Sequence, residues 1–157
     1  MIYLDYAASA PVYEEVCSLT AELAANIYGN PSSLHAAGTA ARKVLRESRQ
    51  ELASLLNVAP ECVIFTSGGT ESNNTALMSV RNGKRRNIVI AASEHHSVIN
   101  TAKELKKLGF TVTELLPDSC GRISPESVSK VLSRDTALLS VHAVNNETGT
   151  VQDIAAM

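Results

Sequence analysis

The sequence predicts an α/β fold with a mainly parallel sheet flanked by helices, and three observations carry that prediction. Short β-branched and apolar stretches recur at 63–66, 88–91, 110–115 and 137–141. Segments with helical spacing lie between them, at 70–80, 93–108 and 124–132. The strand candidates are apolar almost without interruption, which is the pattern of strands covered on both faces by crossover helices.

In chain order, residues 10–27 and 32–56 read as two helices broken at Gly29-Asn30-Pro31, a turn through which no helix can run. Ser32 or Ser33 is the expected cap of the second, with a direct ligand contact from this motif as the alternative. This front section, 1–57, has no strand of its own; the α/β part, 58–157, follows it. Gly109 closes the 93–108 helix after its basic last turn, and Ser124-Pro125-Glu126 opens the next with a capping hydroxyl and a first-turn proline. The cluster Arg81-Asn82-Gly83-Lys84-Arg85-Arg86 reads as a solvated connection. After the last strand comes the polar loop Asn145-Asn146-Glu147-Thr148-Gly149, and Gln152-Asp153-Ile154 has the look of a new helix start. One turn with no partner is marginal, so the expectation is a sequence cut off inside a larger fold.

The 157 residues amount to one ordinary domain, and 45% apolar against 19% charged content allows a sizeable core and excludes intrinsic disorder. A formal charge of −2 excludes a strongly basic nucleic-acid binder. No apolar run approaches a membrane span, and Met1-Ile2-Tyr3-Leu4-Asp5 is unlike a secretory signal, so no membrane partner and a cytoplasmic location are expected. Cys17, Cys62 and Cys120 are spaced neither as a disulfide framework nor as a zinc site, and read as small, buried, reduced side chains; no metal is expected.

Three polar clusters each follow a strand candidate. Ser67-Gly68-Gly69-Thr70-Glu71 stands between a strand and a helix, where bare backbone amides, the helix dipole and the Thr70 hydroxyl suit an anion. It matches neither the P-loop nor the dinucleotide fingerprint, and a plain Gly-Gly turn with Thr70 as helix cap is the alternative. In Ser93-Glu94-His95-His96, His95 can stack a flat ligand or move a proton near neutral pH, or can be a hydrogen-bonded surface residue. Asn145-Asn146-Glu147 is the third cluster, with turn chemistry as its alternative. Ligands of open α/β sheets sit outside the carboxyl ends of the strands, so together these loops predict one site for a phosphorylated planar ligand.

With Tyr3-Leu4-Asp5-Tyr6-Ala7-Ala8, Gly29-Asn30-Pro31-Ser32-Ser33, Phe65-Thr66-Ser67-Gly68-Gly69-Thr70-Glu71-Ser72-Asn73-Asn74, Ser93-Glu94-His95 and Val144-Asn145-Asn146-Glu147-Thr148-Gly149 in this order, the chain resembles the amino-terminal part of the cysteine desulfurases, in the class V aminotransferase family. Within them it is more similar to the group that serves iron–sulfur cluster assembly and tRNA thiolation. Ser9-Ala10-Pro11 stands where the family more often has Thr-Thr-Pro.

The resemblance implies an enzyme with the large-domain fold of the aspartate aminotransferases (fold type I), pyridoxal 5'-phosphate as cofactor and 58–157 as its incomplete binding domain. Gly69 and Thr70 would hold the phosphate, His95 would stack on the ring and assist proton transfer, and Asn146 would contact ring-side or substrate polar groups. It further implies L-cysteine as substrate, a sulfur-acceptor or iron–sulfur scaffold protein as partner, and a homodimer. The cofactor lysine, the aspartate at the pyridine nitrogen and the nucleophilic cysteine would lie beyond Met157. None of the lysines or cysteines here has the matching context, so the chain alone is expected to be inactive. A non-catalytic module for another phosphate ligand and a purely structural fragment are the alternatives.

Overall fold

The structure, a computed structural model, describes residues 2–157, which cluster into two compact units, one running to Phe65 and one spanning Thr66–Met157. The first unit holds helices α1 (Glu14–Asn26) and α2 (Ala36–Leu56) and a 3-10 turn at Pro60–Cys62.

Both helices start later than the sequence predicts. Tyr13 is still extended, and Glu14 and Glu15 fill the first turn of α1, where the helix dipole favours carboxylates. For α2 the cap is neither Ser32 nor Ser33 but His35, whose ring Nδ1 accepts from the Gly38 amide at 3.3 Å. The serines belong to the preceding turn, where the Ser32 amide donates to Asn30 Oδ1 and the Ser33 amide to Asn30 O, both at 2.9 Å. Arg42 locks this turn to α2, with Nε donating to Pro31 O at 2.7 Å and Nη2 to Ser33 O at 2.6 Å. Backbones approach so closely here that a Cβ on Gly38 would lie 2.5 Å from Ser33 O, and one on Gly29 would fall on the Ala37 carbonyl. At the far end, Asn57 takes the left-handed conformation (φ 53°), and the amides of Asn57 and Val58 return to Ser54 O and Ala53 O.

The expected strand at 63–66 is absent. A strand needs a ladder, and residues 63–66 are assigned to none among the described residues. Arg49 holds the segment instead, donating to Val63 O at 3.2 Å and lying 5.2 Å from the Phe65 ring centre. The cysteines also differ from expectation, since all three are exposed. Cys17 sits on α1, which buries no residue, and Cys120 in a tight turn whose amides are taken by Asp118.

In the second unit the expected α/β order is present: α3 (Gly69–Met78), β1 (Asn87–Ala91), α4 (His96–Lys107), β2 (Thr111–Leu115), α5 (Pro125–Val131) and β3 (Thr136–Ser140). The sheet is parallel with order β2-β1-β3. On one face Ile88 and Ile90 pack with Leu77, Val98, Ala102, Leu105 and Phe110; on the other Val89 and Ala91 pack with Leu115, Ile123 and Val128. No helix among the described residues is long and apolar enough to cross a membrane.

The helix ends follow the sequence signals. Ser124 accepts from the Ser127 amide at 3.1 Å, with Pro125 in the first turn. Gly109 (φ 87°) ends α4 with its amide bonded to Lys106 O and that of Phe110 to Leu105 O, while Phe110 and Leu105 share the core. The basic connection is less free than expected: Arg85 Nη1 donates to Thr136 O at 3.1 Å and Arg86 covers the Phe110 ring at 4.8 Å. The expected helix start near Gln152 is a single 3-10 turn, Ile154–Ala156, capped by Asp153 at 3.2 Å.

Gly68 caps α3, and Glu71 in its first turn reaches back to the Ser67 amide at 2.6 Å and hydroxyl at 2.7 Å. The amide first, and then the hydroxyl, hold the Glu71 carboxyl below its ordinary value of 4.5. A lowered native value stabilises the fold above the unfolded value and is lost as pH falls through the native one. Denaturation followed against pH should therefore show the native chain losing stability relative to Glu71→Gln below 4.5, with no such divergence above it. A second expectation concerns Gly109, where a Cβ would meet nothing within 4 Å. Gly109→Ala should cost only the left-handed penalty of roughly 1–2 kcal/mol in urea denaturation, whereas Gly38→Ala, facing backbone oxygens, should cost more.

Candidate functional site

The carboxyl ends of β1 and β3 and the start of α3 meet at one open cleft of about 360 Å³, lined by Gly69, Thr70, Asn73, His95, Ser97, His142 and Asn146. All four residues singled out from sequence, Gly69, Thr70, His95 and Asn146, are brought to this one cleft, whereas Asn73, Ser97 and His142 were not anticipated.

Thr70 lies inside α3 and does not cap it. Gly68 occupies the cap position and makes no side-chain hydrogen bond to the first turn. A Cβ on Gly68 or Gly69 would meet nothing within 4 Å, so the approach to these amides is open. Glu71 takes the Ser67 amide and hydroxyl, and no side chain caps the amides of the first turn of α3.

His95 is the cap of α4, which begins at His96, three residues later than the 93–108 segment predicts. Its Nδ1 accepts from the Ser97 amide at 3.1 Å and lies 2.8 Å from the Ser97 hydroxyl, which in turn receives Asn73 Nδ2 at 2.9 Å. A nitrogen that accepts a backbone N–H carries no proton, so the neutral ring holds its proton on Nε2.

A buried acid just past β1 reaches the end of β3. The Glu94 side chain is 3% exposed; its Oε1 accepts from Ser140 at 2.9 Å and its Oε2 lies 3.4 Å from His142 Nε2. His142 Nδ1 is the single buried side-chain polar atom without a hydrogen-bond partner among the described residues. The one available sequence signal for His142 was a polar residue interrupting an apolar run; for Asn73 it was a position one turn after Gly69 and Thr70 on the same helix face.

The adjacent asparagines do different work. Asn145 is buried, and its Oδ1 accepts from the amides of Glu147 and Thr148 at 2.9 and 3.0 Å while Nδ2 donates to Ser93 O at 3.0 Å. It shapes the loop and ties it to the β1 end. Asn146 is exposed and bonds only Glu147 Oε1, at 3.0 Å. A larger concavity of about 460 Å³ lies around Asp118, Arg122 and Gln152. Its principal polar groups are already used: Gln152 bonds Ile123 N and Gly121 O, and Asp118 holds the amides of Cys120 and Arg122.

Residues 2–157 match the family described as aminotransferase class-V. A NifS/IcsS protein homolog of Lactobacillus delbrueckii subsp. bulgaricus is 44% identical over 157 residues, covering 98% of this chain and 41% of that protein. The cysteine desulfurase IscS of Dictyoglomus turgidum is 39% identical, covering 98% of this chain and 40% of that protein. Among solved structures, SspA in complex with cysteine superposes with a TM-score of 0.90 at 36% identity, over 98% of this chain and 45% of the other. DndA from Streptomyces lividans gives 0.83 at 39% identity, over 98% and 44%. The chain thus spans about two fifths of the length of the relatives it matches. It belongs to the class-V aminotransferase family, whose members depend on pyridoxal phosphate.

Proposed function

We propose that this chain forms the amino-terminal, cofactor-cradling part of a cysteine desulfurase, which converts L-cysteine to L-alanine and leaves the sulfur on an enzyme thiol as a persulfide. The observation that carries the reading is the single cleft in which the uncapped start of α3, His95 and Asn146 come together. The residues fit a planar phosphorylated cofactor. The free first-turn amides and the Thr70 hydroxyl suit the phosphate, and the open space over Gly68 and Gly69 admits it.

Bound there, pyridoxal phosphate would supply an electron sink for the substrate's Cα. The protein's part is to bind and orient. Gly69 and Thr70 anchor the phosphate end, His95 presents its imidazole to the ring with the proton on Nε2, and Asn146, exposed at the cleft with its Oδ1 unbonded among the described residues, contacts ring-side or substrate polar groups. The buried Glu94 carboxylate braces Ser140 and His142 at the end of β3 behind these groups. The thiol that receives the sulfur is none of Cys17, Cys62 and Cys120. They lie on α1, in the Pro60–Cys62 turn and in the Asp118 turn, and Cys120, the one in the unit that holds the cleft, is not among its lining residues. The reading extends to a homodimer of the complete enzyme, a cytoplasmic setting, and delivery of sulfur to an acceptor or iron–sulfur scaffold protein, with 58–157 as the cofactor-binding domain and 1–57 as a helical segment before it.

Visible circular dichroism of pyridoxal phosphate titrated into the chain tests the reading. An induced band should appear. Thr70→Ala should weaken uptake roughly ten- to hundredfold, the effect of losing a hydrogen bond to a charged group, and His95→Ala should weaken or reshape the band. No band, or one indifferent to both substitutions, overturns the cofactor site; protection against heat by nucleotides but not by pyridoxal phosphate would point to a different phosphate ligand. The 157-residue chain by itself should release no alanine from L-cysteine, and measurable release overturns that part of the proposal.

A further inference from the structure

We infer that Asn73 and Ser97 are positioning residues: through a hydrogen-bond relay they reinforce the backbone cap in holding the proton of His95 on Nε2, and so link the start of α3 to the group that handles protons in the cleft. The inference begins with an ambiguity at Ser97. Its hydroxyl, 2.8 Å from His95 Nδ1, can either donate to that nitrogen or accept from it. Asn73 biases the choice toward donation. Its amide Nδ2 donates to Ser97 Oγ at 2.9 Å, taking one of the oxygen's two lone pairs and favouring the orientation in which the hydroxyl hydrogen points to Nδ1. With the Ser97 backbone amide donating to the same nitrogen at 3.1 Å, Nδ1 receives two donors, and the ring proton stays on Nε2.

The relay is built into the fold. Ser97 is 8% exposed, so solvent does not compete freely for its hydroxyl. Asn73 stands one turn after Gly69 and Thr70, and all of these residues line the same cleft as His95. A second polar pair in register with the first, Thr101 Oγ1 donating to Asn74 Oδ1, holds α3 against α4 one turn further along. His35 provides an internal comparison. It caps α2 through its own Nδ1, but with the Gly38 amide alone and no hydroxyl relay.

The consequence is chemical. With Nδ1 occupied, the neutral His95 ring offers an N–H hydrogen bond at Nε2 and no free lone pair with which to take a proton. The resting site therefore presents a hydrogen-bond donor at this position. The bearing of the relay on catalysis rests on the cofactor site proposed above, but the protonation pattern belongs to the ligand-free chain and is measurable there.

Long-range 1H–15N spectra of the histidine rings, recorded on the cofactor-free chain above the pH range in which they titrate, read the pattern directly, with His95→Gln assigning the signals. Native His95 should show a protonated Nε2 and a bare Nδ1. Asn73→Asp, nearly isosteric, replaces the donor by an acceptor-only group that draws the Ser97 hydroxyl hydrogen away, so the Nδ1 resonance should move toward the protonated position. Ser97→Ala should move it the same way and Ser97→Thr should restore it, while His35 stays unmoved throughout. A native His95 protonated on Nδ1 overturns the inference. So does a spectrum unchanged in both Asn73→Asp and Ser97→Ala, which would leave the backbone cap alone in control. If the relay behaves as expected but the native chain takes up no pyridoxal phosphate, the relay stands and the cofactor reading alone falls.

Discussion

Strand β1 is the constraint on which the second unit depends. It is hydrogen-bonded along both edges, to β2 and to β3, and its side chains are buried on both faces, with Ile88 and Val89 at 0% exposure. A five-residue strand in that position can carry no polar side chain beyond its first residue, and Asn87 obeys this by bonding to Thr136 and Thr113. Because both faces must be covered, α3 and α4 pack on one side and α5 on the other. Covering both faces leaves only the strand ends open to a ligand, and there the polar residues of three loops converge.

The polar groups that shape the cleft are fixed by a second tier of buried polar residues. Glu94, Asn145 and Gln152 are all buried, and each spans a loop that would otherwise be free. Glu94 joins the end of β1 to the end of β3, Asn145 turns the 145–148 loop and fastens it to Ser93, and Gln152 clamps the 121–123 backbone. An unpaired buried polar group costs about 1–3 kcal/mol, so these contacts set loop geometry more sharply than apolar packing could. His142 Nδ1, left without a partner, is the exception at the cleft.

Much of this was legible in the chain. The three strands of the sheet, the parallel class, the Gly109 and Ser124 helix ends and the convergence of the three polar loops follow from periodicity, caps and the rule for strand ends. Local pattern misled where a side chain's partner came from elsewhere. At 63–66 the composition is that of a strand, but strand formation depends on a neighbour, and Arg49 took that role. The caps of α2 and α4 fell to histidines, which rank low among expected cap residues and serve here because a neutral imidazole nitrogen can accept an amide as a carboxamide oxygen does.

The sequence by itself determined the class of fold, the order of its elements and the polar clusters that follow its strands, because hydrophobic period and helix-end chemistry are local properties of neighbouring residues. Only the tertiary structure decided what each polar residue does. Asn145 and Asn146 are adjacent and chemically identical, yet one is buried in four hydrogen bonds and the other faces the cleft. Gly29 and Gly38 are nine positions apart and are required by one close approach of two backbone segments. Asn73, Ser97 and His95 become a single unit only when α3 lies against α4, since hydrogen bonds act over about 3 Å, and which groups come within that distance is settled by packing and not by spacing along the chain.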